Sequence, residues 1–71
     1  MFNEKKFKAK LVERGLSVTD VAKALGINEA TLYRKIKGTI DFSRNELTMI
    51  KSTLGMNISE FEDVFFAREL A

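Results

Sequence analysis

The sequence predicts an all-α domain of five helices, and three observations carry that prediction. Four glycines, Gly15, Gly26, Gly38 and Gly55, each fall just after an apolar-periodic segment, where a left-handed residue ends a helix. A second pattern recurs five times: an apolar residue, then Ser or Asn, then another apolar residue five positions after the first, which is an N-cap with its hydrophobic staple. Nothing alternates with period two over a useful length, so no strand is expected.

Phe2, Asn3 and Phe7 open a first helix near residues 3–14, with Phe7 and Leu11 one turn apart on its buried side. Leu16, Ser17 and Val21 start the second, near 17–25; Ile27, Asn28 and Leu32 start the third, near 28–37. Phe42, Ser43 and Leu47 begin a fourth near 43–54, and Met56, Asn57 and Phe61 a fifth near 57–69, for which Ser59 with Glu62 is a rival start. Asp20, Glu46 and Glu60 stand three positions after their caps and complete or approximate capping boxes. The core then collects Phe7, Leu11, Leu16, Val21, Leu25, Ile27, Leu32, Ile36, Ile40, Phe42, Leu47, Ile50, Leu54, Phe61 and Phe65. Most aromatic residues are thus assigned to structure.

Residues 1–71 read as one domain, small enough to bury only about 60% of the surface its unfolded chain exposes. With neither Cys nor His, the disulfide, zinc and haem ligands are missing, so no metal or cofactor is expected. The run Val64, Phe65, Phe66, Ala67 is far short of the roughly 20 residues of a membrane span, and "MFNEKKFKAK" carries charge where a signal peptide is apolar. A soluble, cytoplasmic protein is expected. Residues 1–44 hold ten Lys or Arg against five Asp or Glu, and residues 45–71 hold two against five. Any one of these charges is adequately explained as part of a solvated helix face, but the asymmetry as a whole is less easily explained that way.

Between the second and third helices only Gly26, Ile27 and Asn28 turn the corner. Helices joined so tightly cross steeply, as in a helix-turn-helix, and Ala22 is small enough to let them approach. With Leu32 and Ile36 turned to the core, about 100° per residue points Ala30, Arg34 and Lys37 outward, flanked by Glu29, Thr31 and Tyr33. Such a face suits the DNA major groove. The Arg34 guanidinium can grip guanine O6 and N7, Ala30 and the Thr31 methyl can meet a thymine methyl, and Glu29 can accept from a cytosine amino group. Glu29 serves equally well as a first-turn residue facing the helix dipole, and Tyr33 could meet a base, a phosphate or the core. The helix starts at Asn28 and Ser43, with Thr31, Lys37, Arg44 and some of Lys5, Lys6, Lys8 and Lys10, are the candidates for holding phosphates.

The stretch "GLSVTDVAKALGINEATLYRKIKG", continuing into "DFSRNELTMIKSTLG", resembles the helix-turn-helix domain of the phage repressor and Cro family over roughly residues 11–55. Ala-x-x-Leu-Gly-Ile, the apolar Leu32 and the closing Gly38 carry the likeness. With "FSRNEL" and "FFAREL" included, the pattern is most similar to short single-domain regulators of phages and prophages of Gram-positive bacteria. The resemblance implies a five-helix, lambda-repressor-like fold whose third helix reads the major groove, usually as a dimer on a palindromic operator. It places Glu29, Ala30, Tyr33 and Arg34 at base-contacting positions and Asn28, Lys37 and Ser43 at backbone-contacting ones. Val18 stands where many members carry a phosphate-binding Gln, so that anchor is missing. Lys35 stands where a large apolar residue is common, which shifts packing to Ile36 and implies a slightly rotated recognition helix.

Phe61, Val64 and Phe65 form one apolar stripe on the last helix; Phe66 and Leu70 form a second with nothing evident to cover, read as a dimer or partner contact. Scattered carboxylates without a Cys or His nucleophile or base exclude an enzyme of the usual kinds. The competing reading is a protein-binding adaptor, antirepressor- or antitoxin-like, that grips another protein through its acidic C-terminal half.

Overall fold

The computed structural model describes residues 2–66. It contains α1 (Glu4–Glu13), α2 (Val18–Leu25), α3 (Glu29–Ile36), α4 (Arg44–Thr53) and α5 (Ile58–Phe65), with no strand among the described residues.

Each helix begins where a small polar side chain can satisfy an orphan amide. Asn3, Ser17, Asn28, Ser43 and Asn57 all accept a hydrogen bond from the amide three residues on. Asp20, Glu46 and Glu60 return the bond to the cap's own amide, so three full capping boxes form, and Asn57 rather than Ser59 starts α5. The closures are equally uniform. After α2, the Gly26 amide donates to the Lys23 carbonyl (3.1 Å) and the Ile27 amide to the Ala22 carbonyl (3.0 Å), the paired bonds of a Schellman turn that require a left-handed residue; Gly26 has φ +69°. The same pair of bonds closes α1, α3 and α4 at their glycines. No glycine follows α5, which is described over Ile58–Phe65, and the Phe66 amide bonds back to the Glu62 carbonyl; residues 67–69 of the expected helix lie outside the described residues.

α2 packs on both α3 and α4, while α1 lies against α5. Val21, Ala22 and Leu32 are buried where α2 meets α3, and Phe7, Leu11, Ile36, Ile50, Leu54, Met56, Val64 and Phe65 complete the core. Leu32 is fully covered, worth about 1.5–3 kcal/mol of burial, and fixes which side of α3 faces inward. Leu16, Leu25, Ile27, Phe42, Leu47 and Phe61 pack half-buried around this centre. Phe2 sits among Phe7, Phe42 and Phe65 with ring centroids 5.1–5.6 Å away, pinning the start of α1.

Ile40 corrects the expected core. It is 40% exposed because the chain leaving α3 bonds back on itself, with the Thr39 and Ile40 amides both pointing at the Arg34 carbonyl, and carries this side chain outward. Met56 is buried instead: its amide returns to the Lys51 carbonyl and turns the side chain inward. No helix is long and apolar enough to cross a membrane among the described residues.

Candidate nucleic-acid interface

The three-residue corner between α2 and α3 orients the candidate reading helix. With Leu32 and Ile36 buried, the opposite side of α3 presents Glu29, Ala30, Tyr33, Arg34 and Lys37, all exposed, with Thr31 half-buried at its edge. Val18, at the first position of α2, packs partly against the core and supplies no polar anchor there.

Arg34 has no acidic partner and no side-chain hydrogen bond among the described residues, so its guanidinium keeps all its donors. Tyr33 beside it is 43% exposed. Glu29 accepts a hydrogen bond from the Thr19 hydroxyl of α2, which holds its carboxylate across the corner. That bond competes with any base for one carboxylate oxygen and leaves the other open. Sequence spacing gave no sign of Thr19, because the contact depends on how steeply the two helices meet.

Two helix starts flank this face. Asn28 uses its carbonyl oxygen to accept from the Thr31 amide (2.7 Å), which leaves its NH2 group as a donor. Ser43 accepts from the Glu46 amide (3.2 Å), and its own amide donates to Glu46 Oε1 (2.8 Å). What Ser43 has left for an incoming oxygen is its hydroxyl proton, together with the first-turn amides behind it. Arg44 is exposed with no acidic partner among the described residues.

Lys35 turns away from this face. Its side chain is 10% exposed and its ammonium lies 2.9 Å from Glu46 Oε1 and 3.1 Å from the Asp41 carbonyl, tying α3 to the start of α4. Burial would raise the Glu46 pKa, but the Ser43 amide and the Lys35 ammonium outweigh it and hold the carboxyl below its ordinary value. Ile36 is buried as the departure at Lys35 implies, and the Lys35 side chain is itself largely covered beside it.

Lys37 is exposed but not free. Both oxygens of Glu4, at the start of α1, accept from its ammonium at 3.1 Å, and Lys8 reaches the same carboxylate at 2.9 Å. Hydrogen bonds from Lys8 first, then Lys37, lower the Glu4 pKa. Beside this trio lies a concavity of about 490 Å³ lined by residues that include Phe2, Gly38, Ile40 and Asp41. The i,i+4 spacing of Glu4 and Lys8 is readable from sequence; the reach from Glu4 to Lys37 is not.

Of the remaining cations in α1 and at its end, all but Lys5 are engaged elsewhere. Lys6 pairs with Asp63 (2.8 Å), Lys10 with Glu60 and Glu13, and Arg14 with Glu13 and Glu60, while Arg14 Nε donates to the Leu54 carbonyl (2.7 Å). Lys10 and then the Asn57 amide hold Glu60 below its ordinary pKa. The basic and acidic parts of the chain therefore neutralise each other along the α1–α5 contact. Of the two expected partner-contact residues, Phe66 is 58% exposed with its ring 6.0 Å from Phe61, and Leu70 lies outside the described residues.

No curated protein matches the chain in sequence. The family model of the Cro/C1-type HTH DNA-binding domain matches residues 6–66, which takes in α2 to α5, α1 from its third residue onward and the candidate contact residues of α3 and α4. The chain belongs to the Cro/C1-type helix-turn-helix DNA-binding domain family.

Proposed function

We propose that this chain is a Cro-like transcriptional repressor of phage or prophage type that binds double-stranded DNA sequence-specifically with α3 in the major groove. The observation that carries this reading is the outward side of α3, where exposed Ala30, Tyr33 and Arg34 stand together and Arg34 has no acidic partner among the described residues. Arg34 grips guanine through two parallel hydrogen bonds, Ala30 and the Thr31 methyl lie against a thymine methyl, and Glu29, steadied by Thr19, accepts from a cytosine amino group. Tyr33 completes the base-facing set. Asn28, Thr31, Lys37, Ser43 and Arg44 hold the sugar-phosphate backbone on either side and fix the register without reading sequence.

One small module gives limited affinity, and two on half-sites about 34 Å apart gain specificity from geometry. A homodimer on a palindromic operator is the arrangement we favour, with Phe66 in the contact, in a cytoplasmic setting and without catalysis or cofactor. The adaptor reading requires the acids of the C-terminal half to be available. Glu46, Glu60 and Asp63 are taken by Lys35, Lys10 and Lys6, which leaves Glu62 as the one unpaired acid of that half among the described residues.

Duplex selection from a random pool, followed by fluorescence titration, tests the proposal. Arg34→Ala is expected to relax preference at one base pair by about 1–3 kcal/mol, whereas Lys37→Ala weakens all duplexes alike. Binding insensitive to salt and to Arg34→Ala, or a monomer in sedimentation even with operator present, would count against repression by a dimer.

A further inference from the structure

Among the described residues, Glu4 is the one acidic side chain that bonds Lys37, the candidate phosphate-binding residue that caps the end of α3. It belongs to α1, 33 positions away in sequence, yet both its oxygens take hydrogen bonds from Lys37, and Lys8 reaches Oε2 as well. Lys37 has 61% of its side chain exposed and Glu4 29%, so the cluster lies at the surface and is open to an incoming anion. A carboxylate and a phosphodiester offer an ammonium the same kind of acceptor, two anionic oxygens at hydrogen-bond distance.

We propose that Glu4 is a positioning residue for DNA binding: its carboxylate occupies, on Lys37 and Lys8, the place that a backbone phosphate takes in the complex, and so restrains binding that rests on phosphate contacts alone. The inference depends on the duplex-binding function proposed above. An exposed ion pair is weak, so a phosphate can displace Glu4, and the concavity beside it gives the phosphate room to approach. Displacement nevertheless leaves the carboxylate next to the arriving anion, and each bound duplex has to overcome that repulsion. With Glu4 present, the cluster of two lysines acts toward DNA as roughly one positive charge rather than two.

The test is a titration of a mixed-sequence 20-base-pair duplex with the full chain between 50 and 200 mM salt, followed by fluorescence anisotropy. Glu4→Gln is expected to bind about threefold more tightly, the factor that corresponds to the usual coupling of an exposed pair, with a log–log salt slope steeper by about 1. Glu13→Gln removes the same charge from a carboxylate whose partners among the described residues are Lys10 and Arg14, and is expected to change affinity by less than about half that factor. In a Lys37→Ala background the gain from Glu4→Gln should fall by at least about half. A wild-type chain without salt-dependent duplex binding overturns both the proposed function and this inference. Wild-type binding with Glu4→Gln no tighter than Glu13→Gln, or with its full gain retained in the absence of Lys37, overturns this inference alone.

Discussion

Replacing either member of the Lys35–Glu46 pair should have very different consequences, because the two side chains have different company. The pair is 10% and 15% exposed with a 2.9 Å contact, close to a buried ion pair. Lys35 has one further acceptor, the Asp41 carbonyl at 3.1 Å, while Glu46 also accepts from the Ser43 amide at 2.8 Å as part of a capping box. Glu46→Ala therefore strands a largely covered ammonium and removes half of a helix cap. Breaking a fully buried pair costs about 3–5 kcal/mol, and this one retains some water, so about 2–3 kcal/mol is expected, or a loss of roughly 10–20 °C in Tm. Lys35→Met keeps the apolar stem and leaves Glu46 with its amide partner, so it should cost no more than about 1 kcal/mol. The double variant should cost less than Glu46→Ala alone, since no ammonium is left stranded. Urea unfolding followed by far-ultraviolet circular dichroism measures all three. If Lys35→Met proves as damaging as Glu46→Ala, the covered site at position 35 does not accept an apolar side chain and the packing argument for the α3 orientation is wrong.

Gly26→Ala should lose about 1–2 kcal/mol in the same unfolding experiment, all of it backbone strain at φ +69°, because an added Cβ meets nothing within 4 Å; Gly26→Asn should lose less. Acid should unfold the domain through its caps and ion pairs. Glu4, Asp20, Glu46 and Glu60 all have pKa values lowered by folding, so each contributes stability above its unfolded value and loses it as pH falls through the lowered folded value. Stability measured from pH 7 downward should hold until about pH 5 and then decline, and Glu60→Gln should flatten that decline.

The helix plan was legible because its signals are local. Asn3, Ser17, Asn28, Ser43 and Asn57 each act on an amide three residues away, and each glycine closes the turn just before it, so a reading along the chain suffices. The inward side of α3 was legible for the same reason, from the one-turn spacing of Leu32 and Ile36. Ile40 misled because it follows the last helical turn, where periodicity no longer says which way a side chain points. The end of α5 had no such signal in the sequence, because no glycine follows Phe65, and its expected end near 69 lies outside the described residues. Around the candidate interface, the partners of Glu29, Lys35 and Lys37 were hidden, since Thr19, Glu46 and Glu4 reach them only through the packing of α2, α4 and α1.

The uneven charge of the chain is largely settled within the fold, and this sets how strongly salt should act on DNA binding. Lys6, Lys10 and Arg14 lie against α5 acids, Lys35 against Glu46, and Lys8 with Lys37 against Glu4. The cations with no acidic partner among the described residues are Lys5, Lys23, Arg34, Arg44 and Lys51, and of these Arg34 is assigned to a base rather than a phosphate. Arg44 and Lys37, with one further contact, would then neutralise about two or three phosphates per protomer. At about −0.9 per phosphate, a dimer should show a log–log salt slope near −4 to −5, measured by titrating a selected duplex at several salt concentrations. A slope beyond about −8 would mean that the α1 lysines leave the α5 acids and engage the duplex, so the α1–α5 ion pairs would be a reserve of phosphate contacts rather than part of the fold's permanent structure. A slope near zero would remove the phosphate-contacting role from Lys37 and Arg44 together.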